Sequence, residues 1–143
     1  MIGEWRRGAY LLTTDKTRFD LDVIHGYLKT SYWAAGISAD IVIRSVENSL
    51  TFGLFEGEEQ VGFARVITDY ATFAYLADVF VLEAHRGQGL GKWLIEVVLS
   101  HPDLRGLRRW LLATGDAHEL YRKYGFAELA RAGIFMEIHS PYR

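Results

Sequence analysis

The spacing of hydrophobic residues changes several times along the chain, and each spacing predicts a different element. In residues 19–33 Leu21, Ile24 and Leu28 recur at the interval of a helix face. In residues 89–102 the sequence GLGKWLIEVVLSHP shows the same helical interval, and Pro102 lies beyond its end. The almost continuously apolar stretch at 72–84, TFAYLADVFVLEA, predicts a long strand instead.

Shorter segments complete the predicted order of elements. We predict two more helices, at 39–49 and 116–125, although the β-branched residues of 39–49 fit a helix less well. Further strands are predicted at 8–15, on either side of the turn EGEE within 50–69, and at 108–114, 126–131 and 134–140. Strands therefore outnumber helices and alternate with them in the second half. This order predicts a mixed α/β fold in which helices pack on a sheet.

The amino-acid composition excludes several classes of protein. The 143 residues, half of them hydrophobic, show no repeat or linker and fit one globular domain spanning 1–143. The absence of cysteine excludes disulfides, thiolate metal sites and a cysteine nucleophile, and we expect no metal. A net charge of −2 argues against a nucleic-acid binder. There is no long apolar stretch and no signal peptide, so we expect no membrane association and a cytoplasmic location.

The densest run of glycines lies in HRGQGLGKWL, residues 85–94. Gly87, Gly89 and Gly91 fall between the long predicted strand and the following helix. Unpaired N–H groups at a helix start attract anions, and glycine lets an anion approach the backbone closely. With Arg86 and Lys92 on either side, this pattern favours phosphate binding over a simple tight turn.

Two familiar phosphate-binding patterns do not fit this loop. A P-loop, G-x-x-x-x-G-K-S/T, needs glycine at 86 and serine or threonine at 93, where the chain has arginine and tryptophan. The dinucleotide pattern G-x-G-x-x-G needs a glycine at 92, which is lysine.

A third pattern fits. Residues 86–91, RGQGLG, match R/Q-x-x-G-x-G/A, and the chain thereby resembles the GNAT superfamily of N-acetyltransferases. The strand ADVFVLEAH (77–85) and the segment LYRKYGF (120–126) strengthen the resemblance. It implies a mixed, mostly antiparallel twisted sheet of six to seven strands flanked by about four helices. It also implies acetyl-CoA as co-substrate and direct acetylation of an amine.

The resemblance assigns roles to individual residues. It implies that backbone N–H groups from Gly87 to Lys92 hold the pyrophosphate, with backbone atoms of Val79 and Val81 pairing with the pantetheine arm. The N–H of Val79 would then face the thioester carbonyl. Arg86 and Lys92 either add charge or are solvated, and one of three arginines could reach the 3′-phosphate. The pyrophosphate loop is Gly87, Gln88, Gly89, Leu90, Gly91 and Lys92, and the three arginines are Arg105, Arg108 and Arg109.

Tyr121 occupies the tyrosine position of LYxKxGF. The resemblance implies that it protonates the leaving thiolate, because a phenol with a pKa of about 10 keeps its proton at neutral pH. The alternative is an aromatic side chain that packs in the core. Tyr124, three residues later, is expected to be structural.

The chain departs from the family pattern at two positions. Thr114 stands where many members have a cofactor-contacting asparagine, and its hydroxyl reaches less far. Arg109 stands where members that acetylate protein N-termini often have a glutamate base, which weakens a protein N-terminal acceptor.

The residues that receive the amine are less defined. Asp78 interrupts an apolar strand and is either the general base or a satisfied structural carboxylate. Glu83 and His25 are further candidates for the base, and a base relayed through water would leave no signature. Tyr32 and Trp33 either line an aromatic pocket for an apolar or cationic amine or anchor a helix.

Several alternatives remain open. The acceptor is either a small-molecule amine or an amine of a protein or peptide, and the sequence allows a homodimer without indicating one. The competing functions are an acyl-CoA sensor without catalysis and a nucleotide-binding protein that uses the same anion loop.

Overall fold

The computed structural model describes residues 1–142, which form one six-stranded sheet in the order β1-β2-β3-β4-β5-β6. The strands are β1 (Glu4–Arg7), β2 (Tyr10–Thr13), β3 (Leu50–Glu56), β4 (Glu59–Thr68), β5 (Phe73–Val81) and β6 (Arg109–Leu111). The α-helices are α1 (Leu21–Leu28), α2 (Ala39–Glu47), α3 (Leu90–Ser100) and α4 (His118–Arg122).

Neighbouring strands from β1 to β5 pair antiparallel, and only β5 and β6 pair in parallel. Helix α3 lies in the connection between these two strands, because parallel neighbours need a long crossover. The mixed, mostly antiparallel sheet and the four α-helices confirm the predicted fold class.

Helices cover the sheet from both sides and bury two clusters of apolar side chains. Phe63 of β4 packs with the buried faces of α1 and α2. Ala64, the next residue along β4, belongs to the other cluster, which includes the buried face of α3. This division follows from the alternation of side chains along a strand.

Local capping sets the helix boundaries. The Asp20 side chain accepts hydrogen bonds from the N–H groups of Asp22 and Val23 and starts α1, and the Ser38 side chain accepts from Ile41 and starts α2. Helix α1 ends at Leu28, five residues before the predicted end at 33. The Ser31 hydroxyl donates to the Leu28 carbonyl there, and residues 29–36 continue as turns and a bend rather than as helix.

The N-terminal prediction was wrong in one respect. A single strand was predicted at 8–15, whereas residues 4–13 form a hairpin of β1 and β2. Gly8 turns the chain between them with a φ of +56°, a conformation that glycine adopts without steric cost. The middle of the predicted strand, residues 10–13, therefore forms β2.

The strands predicted at 126–131 and 134–140 are not formed. Alternating apolar residues suggested them, but residues 127–142 are exposed, and a short 3₁₀ turn at Ala132–Ile134 interrupts the segment. The side chains of Met136 and Ile138 pack against no apolar surface, since both are almost completely exposed to solvent. A strand pattern without a buried face does not stabilise a strand.

Within residues 1–142, no helix combines the length and the apolar character needed to cross a membrane.

Candidate functional site

A cleft opens where β5 and β6 separate. The two strands pair only from Phe73–Tyr75 to Arg109–Leu111, although β5 continues to Val81. The later residues of β5 therefore have no pairing with β6 along that edge. Val79 and Val81, the residues predicted to pair with a pantetheine arm, both lie in this unpaired part of β5.

A β-bulge lies at the mouth of the cleft. Phe63 pairs with Phe80 and Arg65 with Ala77, so Asp78 and Val79 together face Ala64 alone. Asp78 has a φ of +56° in the left-handed region, which aspartate tolerates better than most residues. The bulge bends β5 and re-aims the backbone of Val79.

Asp78 is held on both carboxylate oxygens. Arg65 Nε donates to Oδ2 at 2.8 Å, and Trp33 Nε1 donates to Oδ1 at 2.9 Å. The Asp78 and Arg65 side chains are 8% and 17% exposed, so their charges offset one another in a mostly buried site. These are the contacts of a satisfied carboxylate, one of the two interpretations that the sequence left open.

The cleft leads into a cavity of about 290 Å³. Its wall brings together Tyr32, Trp33, Asp78, Thr114, Asp116 and Tyr121, which come from four separate parts of the chain. The Tyr32 hydroxyl accepts a hydrogen bond from the Gly115 N–H at 2.8 Å and donates to Asp116 Oδ1 at 3.4 Å. Tyr32 thus connects the segment between α1 and α2 to the loop before α4.

Tyr121 lies between this cavity and a second one of about 410 Å³, and it contributes to the walls of both. The side chain is 9% exposed, and its ring packs edge-on against Phe126. Burial, together with the nearby Tyr32 and Asp116, raises the pKa of Tyr121 to about 12. The phenol therefore keeps its proton throughout the neutral and moderately alkaline range.

Tyr124 has a different environment. Its hydroxyl donates to Glu96 Oε1 at 3.1 Å, on the surface of α3. Burial, and secondarily Glu96, raises the pKa of Tyr124 as well. Tyr124 does not line the cavity that contains Tyr121 and Asp116, and its structural role stays a prediction.

The glycine loop presents open backbone at the start of α3. Gly87 and Gly89 have φ values of +84° and +81°, and a Cβ added at either position would meet no atom within 4 Å. No side chain caps α3, and its first turn contains no acidic residue. The uncapped N–H groups and the helix dipole leave this end of α3 suited to an anion.

Two of the polar side chains around the glycines are engaged in holding the loop. Arg86 Nε donates to the Val81 carbonyl at 2.8 Å, and its guanidinium also donates to the Tyr27 hydroxyl at 3.0 Å. Gln88 donates to the His85 carbonyl at 3.1 Å. Lys92 is exposed and lies on the first turn of α3. The contacts of Arg86 and Gln88 leave the backbone of the loop as the part predicted to bind the anion, and that binding stays a prediction.

The remaining predicted residues lie outside the cavity or have other contacts. Thr114 lines the cavity, and its hydroxyl accepts a hydrogen bond from the Ala117 N–H at 3.0 Å. His25 Nε2 contacts the Ile37 carbonyl at 2.9 Å, and Glu83 lies in an exposed 3₁₀ turn after β5. Arg105, Arg108 and Arg109 are all exposed, and Arg109 lies over the Phe135 ring.

Two charged residues of the cavity wall were missed from the sequence. Arg65 interrupts an otherwise apolar strand, which is the same signal that drew attention to Asp78. Asp116 was interpreted only as a residue near the start of a helix. Their proximity to Trp33 and Tyr32 depends on long-range packing that no local pattern contains.

In the part of the chain that the structure describes, no three His, Asp or Glu side chains come together in a group that could hold a metal ion.

Residues 47–128 match the family model of the acetyltransferase (GNAT) domain. The Gibberella zeae protein FG08082, which bears an acetyltransferase name, is 34% identical over 83% of this chain and 79% of its own. Histone acetyltransferase TAP1 of Glycine max is 36% identical over 76% of this chain, which matches only 45% of TAP1.

Similar solved structures also include a member of the GNAT family. A GNAT-family protein of Xanthomonas campestris pv. campestris, xcc2953, is 49% identical with a TM-score of 0.90, covering 92% of this chain and 94% of that one. A Clostridium acetobutylicum protein whose structure holds acetyl-CoA has a TM-score of 0.63 and 14% identity, covering 97% and 96% of the two chains. At that identity the likeness concerns the fold alone.

Proposed function

The chain belongs to the GNAT acetyltransferase family, and we propose that it transfers the acetyl group of acetyl-CoA directly to a primary amine. The observation that carries this proposal is the edge of β5 that β6 leaves unpaired. Val79 on this edge also lines the cavity that contains Tyr121, and the open glycine backbone before α3 follows shortly after β5 in the chain. An elongated acyl donor and a separate acceptor could meet there.

The residues present fit acetyl-CoA. The backbone N–H groups of residues 87–92 would hold the pyrophosphate, because a positive φ and open space at Gly87 and Gly89 leave room for it. The backbone of Val79 and Val81, which does not pair with β6, would hydrogen-bond the pantetheine amides in the manner of an added strand, beside the contact that Arg86 already makes with the Val81 carbonyl. When bound, acetyl-CoA supplies an acetyl group already activated as a thioester.

Tyr121 would deliver a proton to the departing sulfur. Its pKa of about 12 ensures that the hydroxyl is protonated when it is needed. The same burial makes the phenol a weak acid, so proton delivery has to accompany the cleavage of the carbon–sulfur bond rather than precede it. Tyr121 is buried at the junction of two cavities, which limits competition from solvent.

Asp78 would act as a positioning residue rather than as the general base. Both oxygens of Asp78 already accept hydrogen bonds, from Arg65 and from Trp33, and these contacts hold the carboxylate in place against β4 and the segment between α1 and α2. The carboxylate instead fixes the bulge that orients the N–H of Val79, the group predicted to stabilise the thioester oxygen. The amine would lose its proton to water before it attacks.

The acceptor amine would enter through the aromatic end of the cavity. Tyr32 and Trp33 meet at a centroid distance of 5.1 Å in an edge-on pair, and both line the wall. Aromatic faces of this kind suit an apolar or cationic amine.

The proposal is tested in two stages. Acetyl-CoA is expected to raise the melting temperature more than ATP or NAD does, because only the acyl donor uses the edge of β5. Free thiol release is then measured over a panel of primary amines. Release that depends on an amine supports an acetyltransferase. Tight acetyl-CoA binding with no release for any amine would favour the sensor function instead.

A further inference from the structure

We infer that the acceptor is a small amine carrying a second cationic group, and that Asp116 binds that second group. This inference rests on the proposed acetyl transfer and names its substrate class. It starts from the charges that face the cavity. Among the described residues, these charges belong to Arg65, Asp78 and Asp116.

Two of these charges cancel. Arg65 and Asp78 form an ion pair at 2.8 Å with both side chains mostly buried. The charge of Asp116 is not offset in this way, since none of the ion pairs found within residues 1–142 includes it. The described wall of the cavity therefore has a net charge of −1, and a ligand with a positive charge restores neutrality there.

The position of Asp116 is fixed by its neighbours. The Tyr32 hydroxyl contacts Oδ1 at 3.4 Å, and the same hydroxyl accepts from the backbone of Gly115. Asp116 is exposed and belongs to none of the ion pairs found within residues 1–142, so an incoming cation displaces solvent rather than a charged partner. The rings of Tyr32 and Trp33 lie on the same wall and add cation–π attraction.

A carboxylate in this position suits a second charge better than it suits the reacting nitrogen. The reacting amine must be uncharged to attack, and a nearby carboxylate favours the charged ammonium form. A distal ammonium or guanidinium keeps its positive charge throughout the reaction. Its attraction to the Asp116 carboxylate therefore persists at every stage. The cavity of about 290 Å³ is at the small end of ligand pockets, which favours a small molecule over a folded protein.

The test compares two amines of equal length, diaminobutane and pentylamine, which differ in one terminal group. In the wild-type protein the kcat/KM for diaminobutane is expected to exceed that for pentylamine by about threefold to fivefold, because an exposed charge pair makes a modest contribution. Asp116→Asn should remove the preference by raising KM for diaminobutane alone. Glu58→Gln, which removes an exposed charge from the β3–β4 turn, should retain the preference.

Three results would overturn the inference while leaving acetyl transfer intact. They are equal use of both amines by the wild-type protein, a preference that survives Asp116→Asn, and an equal loss of kcat for both amines with a displaced pH profile. The last would make Asp116 a general base. Calorimetric titration of diaminobutane into the CoA-bound protein tests the inference without turnover. Weaker binding to Asp116→Asn than to Glu58→Gln supports it, and equal binding contradicts it.

Discussion

Arg65 Nε lies 2.8 Å from Asp78 Oδ2 and joins β4 to β5 at the place where their register shifts. This ion pair has two roles in the account proposed above. The arginine neutralises the charge of Asp78 in a mostly buried site. The pair also holds the bulge next to Val79, the predicted donor to the thioester oxygen.

Removing the arginine should reveal how much the fold depends on this pair. Arg65→Met leaves the charge of Asp78 without its partner, and we expect the free energy of unfolding to fall by about 3 kcal/mol. Urea denaturation measures this loss of stability. Arg65→Lys keeps a positive charge and should lower the free energy of unfolding by a smaller amount. A change within about 0.5 kcal/mol for Arg65→Met would mean that solvent compensates Asp78 instead.

Asp78→Asn separates a positioning residue from a base. Asparagine tolerates the left-handed backbone and can still accept a hydrogen bond from Trp33, so the bulge should persist. We expect kcat to fall modestly and its pH profile to stay in place. Asp78→Ala loses the contacts with both Arg65 and Trp33 and places alanine in a strained backbone conformation. It should therefore lower kcat far more than Asp78→Asn does. A large loss of kcat in Asp78→Asn without loss of stability would restore the role of general base.

Gly89→Glu tests the anion site before α3. The new carboxylate would occupy the open space at the uncapped helix start and repel a pyrophosphate, so stabilisation by acetyl-CoA should disappear. Gly106→Glu is the matched control, because Gly106 has a similar φ of +74° and equally open surroundings away from the loop. Unchanged acetyl-CoA affinity in Gly89→Glu would remove the loop from the binding site.

Tyr121→Phe removes only a hydroxyl and should leave the packing against Phe126 intact. We expect turnover to fall about 10²–10⁴-fold with little change in acetyl-CoA affinity. Tyr124→Phe, whose hydroxyl contacts Glu96, should turn over like the wild-type protein. Loss of stability and binding together in Tyr121→Phe would indicate a structural role, and full activity would mean that another group protonates the sulfur.

The pH profile of the wild-type protein provides a second check on Tyr121. An acid must stay protonated, and the pKa of Tyr121 lies near 12 rather than 10. Turnover should therefore rise with pH as the acceptor amine loses its proton, with no alkaline decline around pH 10. A decline with an apparent pKa of about 10 that is absent from Tyr121→Phe would contradict the buried setting.

Much of this arrangement could be predicted from local patterns. The helical spacing after the glycine loop predicted α3, and the pattern of residues 86–91 located the open backbone before it. Asp78 attracted attention because it interrupts an apolar strand. These features depend on residues close together in sequence, where periodicity and turn chemistry are informative.

Other features depend on contacts between distant residues. The ion pair with Arg65 favours the interpretation of Asp78 as a satisfied carboxylate, and it joins two residues 13 positions apart at the bulge between β4 and β5. The bridge from Tyr32 to Asp116 spans 84 positions and has no local signal. The strands predicted after residue 125 do not form, because their alternating apolar residues have no apolar surface to pack against. Here a local pattern was present and the long-range contacts were absent.

The central claim is direct acetyl transfer, and initial rates measured while acetyl-CoA and amine are both varied test it most directly. Because the chain has no cysteine to form an acetyl-thioester enzyme, we expect both substrates to be bound together. We predict intersecting double-reciprocal lines, one free thiol for each acetylated amine, and no acetylated protein when the amine is omitted. Parallel lines together with an acetylated protein trapped without acceptor would contradict the account.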